Sequence, residues 1–145
     1  MKFYKKIIIV ILLGVGIFFV IRNLNSYSYV LEKNWDISIP RSSETLYKIN
    51  EDDSIFGDGC RYHILECNVD KDSADMDLKP YGEISSHELS EITDILDSLE
   101  VPDDKRPKSI DLYYKTTSGE GPTSDKLYLL VDSENENLYV IESFY

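Results

Sequence analysis

The chain has 145 residues, 42% hydrophobic and 29% charged, and its 27 acidic and 15 basic side chains give a formal net charge of −12. That length holds one small domain and excludes a large multidomain enzyme. Two cysteines are too few for a disulfide-stapled scaffold, and the surplus of acids would repel a nucleic-acid backbone.

The charge is unevenly spread. Every acid lies from Glu32 onward, whereas the first 25 residues carry Lys2, Lys5, Lys6 and Arg22 and no acid. Ile7 to Ile21 is an unbroken run without a polar side chain. As a helix it is about 22 Å long, and the stems of Lys6 and Arg22 extend its reach. Phe3 and Tyr4 on one side, and Leu24, Tyr27 and Tyr29 on the other, suit the two interfaces. Three lysines ahead of the run against one arginine after it place the N-terminus in the cytoplasm. The expected organisation is a cytoplasmic basic tail over residues 1–6, a transmembrane anchor over 7–24, a linker over 25–34 and an extracytoplasmic acidic domain over 35–145. The rival reading is a secreted protein cleaved after Ser28, at the small-x-small triplet Ser26-Tyr27-Ser28. Residues 30–145 hold all 27 acids and 11 of the bases, a formal charge of −16.

A short strand is predicted over Asp36–Ile39, stopped by Pro40. Glu44–Asn50 and Arg61–Asn68 alternate polar and apolar residues and flank the turn signal Gly57-Asp58-Gly59, which predicts a hairpin. Residues 68–83 read as a loop. Ser86–Glu100 is a helix: Ser85 and Glu88 have capping-box spacing, and Leu89, Ile92, Ile95, Leu96 and Leu99 form one apolar arc. Val101-Pro102 ends it. Ser109–Thr116, Lys126–Asp132 and Leu138–Phe144 are three further strands, joined by turns short enough to make them antiparallel. The expected fold class is α+β: a transmembrane helix, then a β-β-β-α-β-β-β domain whose mostly antiparallel sheet is covered on one face by one helix.

No catalytic motif is present, and no cofactor is expected. Cys60 and Cys67 lie seven apart on one predicted strand, about 23 Å along it and on opposite faces, so two separate thiols are expected. His63 and His87 are isolated, without zinc-ligand spacing. Asn68, Asp70, Asp72, Asp75 and Asp77 crowd one loop but break the EF-hand pattern, which leaves only a weak, irregular calcium site in prospect. Two surfaces stand out. Glu91, Asp94, Asp97 and Glu100 fall outside the apolar arc of the helix, with no base in the helix to pair with them, and form the candidate interaction surface. Asp58, Arg61 and His63 form a second, polar candidate.

Trp35-Asp36-Ile37-Ser38-Ile39-Pro40, then Tyr47, then Phe56-Gly57-Asp58-Gly59-Cys60-Arg61-Tyr62 resembles small membrane-anchored or secreted proteins of low-GC Gram-positive bacteria. The resemblance implies a location at or beyond the membrane and carries no mechanism. The functional expectation is a single-pass membrane protein that exposes a small acidic domain for non-enzymatic partner binding, with the membrane and a basic protein as partners and no nucleic acid. An inhibitor or immunity-like protein for a basic partner is one form of this. The alternatives are an envelope hydrolase using His63 or the Asp58 loop, and a structural subunit of a membrane complex.

Overall fold

The computed structural model describes residues 8, 11–16, 27–39, 43–51, 58–67, 83–118 and 124–145. Its elements are α1 (Tyr27–Trp35), β1 (Thr45–Asn50), β2 (Gly59–Glu66), α2 (Ser86–Ser98), a 3₁₀ turn (Asp103–Lys105), β3 (Leu112–Ser118), β4 (Asp125–Asp132) and β5 (Asn137–Phe144). The five strands form one sheet in the order β1-β2-β5-β4-β3, antiparallel throughout.

β5 is made last yet lies in the centre, paired with β2 on one side and β4 on the other. Its interior residues are all buried, as are those of β4 from Leu127 onward. Both strands therefore read as near-continuous apolar runs, the pattern of a sheet covered on both faces. β1 and β3 are the edges. β1 carries a bulge where its register shifts between Thr45 and Tyr47. The Glu51 amide donates to the Cys60 carbonyl at 2.9 Å on one side of it, and the Glu66 amide to the Glu44 carbonyl at 2.8 Å on the other. Such a bulge disrupts the regular edge ladder that would otherwise template pairing with another chain.

Alternation along the strands divides the core in two. One face carries Leu65, Leu127, Leu129, Val131, Leu138 and Val140 beneath Leu31, Trp35, Ile37 and Ile39. The other carries Tyr62, Ile64, Tyr113, Tyr128, Leu130, Tyr139 and Ile141 beneath Ile92, Ile95, Leu96, Leu99 and Val101. The Ser85 hydroxyl accepts from the Glu88 amide at 3.2 Å while the Glu88 carboxylate accepts from the Ser85 amide at 3.0 Å, so the capping box is complete. At the other end Glu100 adopts a left-handed φ of 54°. The Val101 amide then reaches back to the Leu96 carbonyl and the Glu100 amide to that of Asp97, both at 3.0 Å, closing a Schellman cap.

Several expectations are corrected. The β-β-β-α-β-β-β order is not seen; among the described residues from Tyr27 onward the order is α-β-β-α-β-β-β. Asp36–Ile39 is not a strand. Asp36 takes a left-handed φ of 55° and its amide donates to the Glu32 carbonyl at 3.1 Å, which ends α1. Ile37 and Ile39 follow as a buried extended tail outside the ladder. Residues 25–34 are not simply a linker, because Tyr27–Trp35 is a helix with Leu31 fully buried. One helix does not cover one face; each face has its own. The expected transmembrane helix is not seen: among the described residues no helix is long and apolar enough to cross a membrane. Within 7–24 only residue 8 and residues 11–16 are described; they are helical, with Ile8, Leu12 and Leu13 exposed. The loop holding Asn68, Asp70, Asp72, Asp75 and Asp77 lies outside the described residues.

Candidate functional site

Two regions combine polar chemistry with defined geometry. The first is the outer side of α2. Glu88 reaches Lys115 of β3 at 3.3 Å, Asp97 pairs with Arg106 at 2.6 Å, and Glu91 accepts from Lys126 and, at 2.5 Å, from the Tyr128 hydroxyl. Hydrogen bonds from the backbone and side chain of Ser85 hold the Glu88 carboxyl down at about 2. Burial works against the charge on Glu91, but Lys126 and Tyr128 outweigh it and the carboxyl stays below its ordinary range. Tyr128 moves the opposite way, its hydroxyl raised first by burial and then by Glu91.

The four predicted surface acids therefore part company. Glu91 is turned toward the sheet and half-buried, while Asp94, Asp97 and Glu100 face solvent. Two exposed neighbours join them from the 3₁₀ turn: the Asp103 side chain is fully open and that of Asp104 is 71% exposed. Arg106, 26% exposed, is drawn in against this group and also donates to the Val101 carbonyl at 2.9 Å. The helix dipole adds negative potential at the same end.

The second region is a shallow groove of about 560 Å³ between α1 and β1, lined by Tyr27, Val30, Thr45, Leu46, Tyr47, Lys48 and His63. His63 is buried, and the Tyr27 ring lies flat on its imidazole, 3.7 Å between centroids and 4° from parallel. Behind the stack is Glu142, fully buried in β5, which accepts from the Tyr27 hydroxyl at 2.5 Å and from Trp35 Nε1 at 2.6 Å. Burial and this carboxylate both push the Tyr27 hydroxyl far above its ordinary value. Burial, then Lys48 and Arg61, push His63 down to about 4.

The predicted trio of Asp58, Arg61 and His63 does not converge as a loop. Arg61 and His63 lie on β2, facing the α1 side; Arg61 is over the Phe144 ring at 4.6 Å and Asp58 is exposed just before the strand. A hydrolytic use of His63 calls for carboxylates beside it in a cleft, and the groove lining holds none among the described residues. Cys60 and Cys67 are not joined to one another; burial raises the pKa of Cys60, whose Sγ is 3.8 Å from Ser143 Oγ. No group of His, Cys, Asp and Glu able to hold a metal occurs among the described residues.

Tyr27, Lys48 and Glu142 are the site residues that sequence reasoning missed. Tyr27, Leu31 and Trp35 recur every four positions, a helical stripe hidden by the apolar run before it. Glu142 is a lone acid inside the run Leu138–Phe144, and its partners are more than 100 residues away. No family model matches the chain, and no curated protein or solved structure matches it either.

Proposed function

We propose that this chain is an exported acidic domain that binds a cationic protein partner without catalysing a reaction on it. The observation that supports the reading is the C-terminal end of α2, where Asp94, Asp97, Glu100, Asp103 and Asp104 all face solvent and Arg106 is tucked against them. Lys115 and Lys126, which could offset the field, are engaged by Glu88 and Glu91. A domain of this charge steers a basic partner and accelerates encounter by about 10- to 1,000-fold, an effect that salt removes.

Export is proposed from the basic-then-apolar N-terminus. Tyr27 and Ser28 pack into the fold, so the mature chain is expected to keep both; intact mass from the membrane fraction tests this, and a chain beginning at Tyr29 would refute it. The binding reading is tested by capture on the immobilised full-length chain in detergent. The expected result is a basic protein released by raised salt and not retained by the Asp94→Lys/Glu100→Lys variant. Retention of the same protein by that variant, or the absence of any salt-sensitive partner, overturns the proposal.

A further inference from the structure

We propose that the Tyr27–His63 stack is an acid-sensitive catch: when His63 takes up a proton, the first turn of α1 leaves the sheet and the groove between α1 and β1 widens. Tyr27 and Val30 form the α1 wall of that groove and Thr45–Lys48 the β1 wall, with His63 between them. Moving one helical turn is therefore enough to open it.

The geometry around His63 suits a neutral ring and opposes a charged one. The ring is 7% exposed, and its Nδ1 has no hydrogen-bond partner among the described residues. An imidazolium would need acceptors on both nitrogens. Lys48 is its direct partner across β1, and Arg61 lies two residues along β2 on the same face, so a proton would add a third positive charge. From β5, Val140 is opposite His63 and offers no charge, while Glu142 lies opposite Arg61. Among the described residues Glu142 is the carboxylate on this face that would favour the proton, and its oxygens already hold the Tyr27 hydroxyl and the Trp35 indole. From α1, the Tyr27 ring seals the imidazole face from water. Lifting Tyr27 hydrates the ring, gives both nitrogens access to water and screens the charges of Lys48 and Arg61.

The break falls at the first turn because the rest of α1 is fastened. Leu31 is fully buried and Trp35 is nearly so, whereas in the first turn only Ser28 is buried, Tyr27 and Val30 are half-buried, and the Tyr27 hydroxyl on Glu142 is the bond that opening must break. The direction follows from linkage. The imidazole is held near 4 when covered and rises toward its ordinary value of 6.5 when released, so the closed form is fully favoured above about pH 6.5 and is weakened as pH falls toward 4. The ratio of closed to open shifts by at most roughly 300-fold across that window. That is too little to strip the whole helix, so the opening is confined to its first turn.

Hydrogen exchange on the full-length chain in detergent tests this. The informative amides are those of residues 31–33, which donate to the carbonyls of the first turn. After correction for intrinsic rates, their protection is expected to fall between pH 7 and pH 4 by up to about 300-fold while β4 and β5 keep theirs. In His63→Phe the loss should vanish. An unchanged profile in the native chain, or the same loss in His63→Phe, overturns the proposal. Imidazole NMR gives a second reading that does not depend on that variant. Tyr27→Leu should move the His63 titration upward, and an unmoved titration overturns the catch.

Discussion

α2 seals its face of the sheet with Ile92, Ile95, Leu96 and Leu99 and places its charges at the rim, whereas α1 seals the other with Leu31, Trp35 and a carboxylate buried beneath it. On the α2 side the ion pairs are partly solvated, so each contributes little alone and apolar burial supplies most of the stability. On the α1 side a fully buried Glu142 depends on two donors that both come from the helix. A helix fastened by apolar contact tolerates the loss of any one polar group. A helix fastened to a buried carboxylate does not, because removing one partner leaves the others desolvated and unpaired.

The contrast can be broken at its strongest point by Glu142→Ala, which strands the Tyr27 hydroxyl and the Trp35 indole. It should cost about 4 kcal/mol in urea unfolding, with Glu142→Gln, which retains an acceptor, costing less. Leu96→Ala on the opposite face should cost about 3 kcal/mol by the same measurement, a cavity effect with no polar component. If Glu142→Ala proves milder than Leu96→Ala, the two faces are held alike. Ser85→Ala removes the capping box and should cost about 1 kcal/mol, read as a lower melting temperature. The smallest effect runs the other way. Glu100 holds a left-handed conformation at the α2 cap, and Glu100→Gly should stabilise by about 0.5 kcal/mol.

Acid separates the faces by pH. Glu88 and Glu91 have depressed carboxyls, so their contribution is complete above their ordinary value of 4.5 and is lost as pH falls below it, toward 2 for Glu88. On the α1 face His63 titrates earlier, between 6.5 and about 4. Urea midpoints across pH should therefore fall in two stages, the first absent from His63→Phe. A single stage below pH 4.5 would count against the division.

The same division decides what could be read from the amino-acid order. α2 was legible because its cap, its apolar arc and its terminating Val101-Pro102 are local signals. β1, β2 and β3 were legible from their alternation, β4 and β5 as apolar runs between turns, and Gly57-Asp58-Gly59 marked the hairpin between β1 and β2, whereas Asp36–Ile39 reads as a strand without being one. α1 was not, since Tyr27 and Tyr29 after an apolar run read as interfacial residues and Trp35-Asp36 read as the start of a strand. The acidic face of α2 was half legible. Its carboxylates follow from the helical period, but Lys115, Lys126 and Arg106 reach it from β3, β4 and the turn beyond the helix. Glu142 could be noticed as an acid in an apolar strand, while its partners lie far away in the chain.

The central position of β5 has a consequence for how the molecule is made. The ribosome delivers α1, β1 and β2 first, and none of them can complete its packing until Asn137–Phe144 has emerged, because that strand alone joins the β1-β2 hairpin to the β3-β4 hairpin. It also brings Glu142, the anchor for a helix synthesised more than 100 residues earlier. Such long-range closure is slow relative to local helix formation. A chain stopped short of β5 thus consists of two unjoined hairpins with exposed apolar faces.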